Sequence, residues 1–405
     1  MTIQNFQVFQ RDADDRARVP LASGDIKELP VGGPYEAGGA SEILVGDLWV
    51  LAGQSNMEGV GDLIDVEPPS PFVHSYQSRE EWAVAEEPLH WLGESPRFVH
   101  HRLWGREAMP DQPDPRDPHR NKGAGLGLAF GKAYHALTGV PVGLIPSAHG
   151  GTSMEQWSPQ LRGEGGNSLY GATYERVQGV GGKVKGILWY QGESDAYPGG
   201  VALYPDRMTA LVNAFRSDFG QPDLPFYLVQ IGCFATDPTP DGVAGWNGIR
   251  EAQRTWAQTQ PNIGLVTAID LELDDPIHIG VQGLKRLGRR LAAVAAGHPA
   301  PDFAGVTVEE GGARLRVTFE NVRGGLCAPG RPAGFSLRDP RGNEIPRLYK
   351  TTLDGDSALL HVNGWDAPLP PDLHLWYGWG LNPYCNITDA EDQAIPAFGP
   401  IPLTV

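Results

Sequence analysis

The stretch VLAGQSNMEG, residues 50–59, decides how the rest of the chain is read. An apolar run, 46–52 (GDLWVLA), stops at Gly53, and Ser55 comes next between Gln54 and Asn56 where a helix can open. Taken alone, a serine at such a turn is a helix N-cap. Its neighbours along the chain change that reading. Working outward, the runs 140–146 (VPVGLIP), 184–190 (VKGILWY), 224–231 (LPFYLVQI) and 262–269 (NIGLVTAI) are apolar on both faces, as strands buried between two helix layers are. Residues 124–137, 205–219, 245–258 and 282–296 have apolar positions at helical spacing. The pattern predicts an α/β fold with a largely parallel sheet over 47–298.

The residues just after each strand carry the chemistry. The second run leads to His149, Gly150 and Gly151, and the third to Gln191, Glu193 and Asp195. The fifth leads to Asp270, then Asp274, Asp275 and His278. Open parallel sheets bind ligands at the carboxyl ends of their strands, and the polar, glycine-rich and titratable groups gather there. They also form a chemical set. Ser55 is a poor nucleophile until a base takes its proton. His278 is the expected base, and Asp275, three residues earlier, the group that holds its tautomer and stabilises the imidazolium. The Ser55 N–H, a glycine N–H from Gly150 or Gly151, and the Gln191 amide are the expected oxyanion donors. Gln54, Asn56 and Glu193 are expected to support the turn, Glu193 as a buried carboxylate.

Composition bounds the function. A chain of 405 residues exceeds one typical core. Net charge of −17 argues against nucleic acid and anionic membranes as partners, and no apolar run is long enough to insert in a bilayer. The start MTIQNFQVFQRDADD has neither the basic nor the apolar part of a signal peptide. The chain as given therefore reads as cytoplasmic, or as secreted or periplasmic if a signal has been removed. Cys233, Cys327 and Cys385 have no zinc-site spacing; buried free thiols are favoured over a Cys327–Cys385 bridge. His74, His90, His100, His101 and His119 likewise lack the spacing of a metal site, so no metal and no cofactor is expected. Residues 299–405 lose helical period and read as antiparallel β, while 1–46 reads as short β pieces. The expected division is an N-terminal β segment (1–46), a catalytic domain (47–298) and a smaller C-terminal β domain (299–405). Residues 62–122, rich in proline and histidine, resist assignment.

The blocks GQSNMEG, GGTSMEQW, WYQGESD and DPIH-x-G resemble those of the SGNH hydrolase superfamily, in the wording of its sialate O-acetylesterase-like carbohydrate esterases. VFQRDADDRA near the start, and LWYGWGLNPYCNI and IPAFGPIPL near the end, are similar to that branch too. The resemblance implies a three-layer, flavodoxin-like α/β/α fold, with Ser55 as nucleophile and Asp275 and His278 as its partners. It also implies metal-free removal of acetyl groups from a sugar or polysaccharide. Where the wider superfamily places an asparagine donor, this chain has Gln191. Trp157 and His149, beside the second block, are then the expected substrate contacts. Two other functions fit less well. A lipid or aryl esterase of the same fold needs an apolar lid, and 62–122 is polar. A non-catalytic sugar-binding protein would not need to keep all three of Ser55, Asp275 and His278. The sugar, the acetyl position and the oligomeric state are not given by the sequence.

Overall fold

The computed structural model describes residues 3–21, 23–103, 121–364 and 370–403. Strand β1 (Ala40–Gly53) leads into a single helical turn, α1 (Ser55–Glu58). Then come β2 (Val73–Tyr76), β3 (Trp82–Val84), α2 (Gly127–Thr138), β4 (Val142–Pro146) and α3 (Leu169–Gly179). After them run β5 (Gly186–Tyr190), α4 (Pro198–Asp218), β6 (Phe226–Gln230), α5 (Pro240–Thr259), β7 (Ile263–Thr267) and α6 (Val281–Ala295). The sheet order is β7-β6-β5-β1-β4-β2-β3. Neighbours from β7 to β2 are parallel, and β3 closes the edge antiparallel to β2.

The five apolar runs are the five strands β1, β4, β5, β6 and β7. Leu48, Trp49, Val50, Leu51 and Ala52 are buried on both faces of β1. Trp49 meets Phe130 and Tyr134 of α2 edge-on at 5.1 and 5.2 Å, contacts worth ~0.5–1.5 kcal/mol each beyond the area they bury. Helices α2 and α6 approach so closely that a Cβ at Gly288 would lie 2.5 Å from Leu126 O. Strand β1 is longer than its apolar core and runs through the division expected after residue 46. Its first half pairs with Val8–Gln10 and Gly32–Ala37. The unassigned stretch supplies β2, β3 and a short helix, Phe98–Leu103.

Beyond α6 the chain forms an antiparallel sheet, in the order 302–309, 314–320, 357–362, 348–354, and a three-stranded sheet of 335–338, 374–377 and 398–402. Their shared core, with Leu315, Phe319, Leu360, Leu375 and Phe398, also takes Cys233 and Ile269 from loops after β6 and β7. Arg250 of α5, 1 % exposed, joins the two parts. Its guanidinium donates to Ile231 O (3.2 Å) and Gly232 O (2.6 Å) on one side, and to Gly378 O (3.2 Å), Gly380 O (2.6 Å) and Leu381 O (3.2 Å) on the other. A buried cation is tolerable when its donors are satisfied in this way. Cys233, Cys327 and Cys385 are free thiols, and Cys327, expected to be buried, is exposed. Among the described residues no helix is long and apolar enough to cross a membrane.

Candidate active site

The turn that presents Ser55 is forced by packing between two strands. Gly53 has φ +135°, and a Cβ there would lie 2.1 Å from Tyr190 O of β5. Only glycine fits so close an approach in that backbone region. The next amide, Gln54 N, donates to the same Tyr190 O at 2.8 Å, and Gly59 N closes the helical turn on Ser55 O. The Gln54 side chain reaches across β5 and accepts from Gly192 N and Ser194 N, each at 3.3 Å.

The loop from 274 to 280 is organised by Asp275. Its Oδ1 accepts from Ile277 N (3.0 Å) and His278 N (2.9 Å), and its Oδ2 faces His278 Nδ1 at 2.7 Å. A carboxylate only accepts, so Nδ1 carries the proton and Nε2 is left with its lone pair. Burial pushes the Asp275 carboxyl up. The bonds from Ile277 N, the His278 ring and His278 N outweigh it and hold the group below its ordinary value.

Asn56 ties this loop to the Ser55 turn. Its Oδ1 accepts from Ile279 N (3.0 Å), and its Nδ2 donates to Ile277 O (3.3 Å) and to Glu193 Oε1 (2.8 Å). The peptides on both sides of His278 are therefore held by the residue next to Ser55. Ser55 and His278 line one cavity of about 480 Å³, together with Glu58, Gly150, Gly151, Glu193, Phe234, Trp246 and Ile277. Among the described residues the Ser55 hydroxyl has no hydrogen-bond partner, His278 included. Such bonds often tighten only when substrate binds. Replacing Asn56 by alanine is expected to lower kcat by ~10²-fold, because it releases His278 by an ångström or so. Steady-state kinetics beside a melting curve test this, and a stable variant with normal kcat would remove Asn56 from the site.

Glu193 is buried, and burial raises its carboxyl to about 7 against the opposing bond from Asn56. A raised carboxyl stabilises the fold fully below the ordinary carboxylate range, and that contribution is lost as pH rises through about 7. Glu193→Gln is therefore expected to gain melting temperature relative to the unaltered protein between about pH 5 and 8. A difference that stays flat across that window speaks against an ionising Glu193.

Several expected roles are corrected. Gln191 is wholly buried, and its Nε2 protons go to Thr152 O (3.1 Å) and Asp195 Oδ2 (2.7 Å), so it has no donor to offer an oxyanion. Trp157 is wholly buried, donates to Thr152 Oγ1 (3.0 Å) and packs edge-on against Trp189 at 5.1 Å, so it contacts no substrate. His149 is 1 % exposed, with Nδ1 3.0 Å from His100 Nδ1, and burial lowers it to about 4; it does not line the cavity. Gly150 does line it, but its N–H is taken by Glu58 Oε2 at 2.6 Å. Gly151 and Ser55 keep main-chain N–H groups with no acceptor among the described residues.

Glu58 and Phe234 are among the lining residues that escape the sequence pattern. Glu58 stands three residues after Ser55, a serine-to-glutamate spacing typical of helix starts. Phe234 lies just beyond β6, and the rule that chemistry gathers at strand ends points there as well. His119 lies outside the described residues. Among the described residues no group of three or more His, Cys, Asp or Glu is placed to hold a metal ion.

A family model described as carbohydrate esterase, sialic acid-specific acetylesterase, matches residues 45–296. The chain is 29 % identical over 260 residues to a probable carbohydrate esterase of Arabidopsis thaliana, covering 62 % of this chain and 91 % of that one. It is 27 % identical over 278 residues to the sialate O-acetylesterase of Homo sapiens, covering 58 % of this chain and 50 % of that one. It thus spans about half the length of that relative. A solved carbohydrate acetylesterase from Xanthomonas citri superposes with a TM-score of 0.70 over 98 % of each chain at 23 % identity, a likeness of fold.

Proposed function

Because the chain belongs to the sialic acid-specific acetylesterase family of carbohydrate esterases, and is a carboxylic ester hydrolase, we propose that it removes O-acetyl groups from sugars through Ser55, His278 and Asp275. The observation that carries this reading is the pairing of Asp275 Oδ2 with His278 Nδ1 at 2.7 Å, in a loop that Asn56 fastens to the Ser55 turn. Ser55 Oγ attacks the acetyl carbonyl carbon while His278 Nε2 takes its proton. The tetrahedral intermediate collapses, the C–O bond to the sugar breaks, and the imidazolium returns the proton to the departing sugar oxygen. Water, deprotonated by His278, attacks the acetyl-Ser55 ester, and acetate leaves as Ser55 regains its proton. Asp275 keeps its charge throughout and stabilises the imidazolium.

The oxyanion is received by the main-chain N–H groups of Ser55 and Gly151, with Gly150 joining when Glu58 moves off its amide. The acetyl group requires little space, so most of the cavity is available to the sugar. The main sheet with its helices, up to residue 298, forms the catalytic domain, a three-layer SGNH fold, and the antiparallel sheets after it a smaller β domain. The substrate is an O-acetylated sugar or polysaccharide. Acid quenching during turnover, then peptide mass analysis, tests the mechanism: an acetyl adduct is expected on the peptide containing Ser55. An adduct on another residue would overturn the assignment.

A further inference from the structure

The mechanism uses the polar side of the cavity and leaves its aromatic side without a role. Phe234 and Trp246 line the same cavity as Ser55 and His278. Their rings stack at 5.0 Å and 29°. Trp246 is 4 % exposed, but Phe234 is only half-buried, so one of its faces rests on Trp246 and the ring still borders the cavity. The placement is rigid. Phe234 N donates to Leu381 O at 2.9 Å, Ala235 N to Pro276 O at 2.7 Å, and Trp246 Nε1 to Gly232 O at 3.0 Å. Pro276 stands two residues before His278, so the ring is fixed relative to the base.

We infer that Phe234, backed by Trp246, is the platform on which the pyranose ring of the acetylated sugar lies. The axial C–H face is the apolar surface a pyranose offers, and a flat ring is its complement. A platform held in place beforehand loses little entropy on binding. This inference deepens the carbohydrate reading and rests on it.

The test compares kcat/KM for a mono-O-acetylated methyl hexopyranoside with that for a mono-O-acetylated hexitol, which has hydroxyls but no ring. Phe234→Leu keeps apolar volume and removes the flat face. It is expected to lower the pyranoside-to-hexitol ratio by about tenfold, and Phe234→Tyr to restore it. An unchanged pyranoside-to-hexitol ratio in Phe234→Leu overturns the platform while leaving the esterase reading intact. Failure of the unaltered protein to hydrolyse either acetate overturns the esterase reading and the platform with it.

Discussion

Replacing Ser55 by alanine is expected to lower kcat/KM toward an acetylated sugar by about 10⁴-fold or more while leaving the melting temperature unchanged. The size comes from chemistry: without Oγ there is no acyl-enzyme, and only the binding and oxyanion groups still act. The unchanged stability comes from structure. Ser55 Oγ has no hydrogen-bond partner among the described residues, so its removal strands no buried donor or acceptor. Acetate release and a thermal melt measured on one preparation decide it. A folded alanine variant that still turns over at a tenth of the normal rate would place the nucleophile elsewhere.

Asp275→Asn is the second large effect, a fall in kcat of about 10⁴-fold. Asp275 uses one oxygen for the amides of Ile277 and His278 and the other for His278 Nδ1. An asparagine has one oxygen for these two duties. If it keeps the backbone turn, its NH₂ faces Nδ1, the ring carries its proton on Nε2, and His278 no longer accepts from Ser55. If it turns over, the loop loses its two backbone bonds. A general base acts only in its unprotonated form, so activity of the unaltered protein is expected to rise with pH on the acid side. Asp275 keeps its charge further into acid than an ordinary aspartate, so protonation of Asp275 does not account for the first loss of activity on acidification. A variant with normal kcat at neutral pH would show that His278 needs no carboxylate.

How much of the molecule is legible in its sequence differs by element. The parallel strands announce themselves because both their faces are buried, and Ser55, Asp275 and His278 because each comes after such a strand. The structure brings Asp275 and His278 into contact and sets Ser55 on the same cavity. Position along the chain does not say which way a side chain turns, and there it misleads. Gln191 stands at the end of β5, yet its amide bends to Thr152 and Asp195 beneath the surface. Trp157 and His149 sit close to the second block but point into packed interior. Strands β2 and β3, four and three residues long, are too short to display a period against the prolines around them. Phe234 stands beyond a strand end as well, but an aromatic residue there reads as core, so the rule alone does not single it out.

The guanidinium of Arg250 has a consequence for inheritance. Three of its five acceptors, Gly378, Gly380 and Leu381, belong to the C-terminal part, and Leu381 O is also the anchor of Phe234 N. A chain cut near residue 299 would keep Ser55, Asp275 and His278, yet take away three acceptors of the Arg250 guanidinium and the carbonyl that anchors Phe234 N. The C-terminal β structure is thus not a detachable module appended to an enzyme. Exchange of one part without the other is expected to cost stability and to loosen the wall of the cavity together.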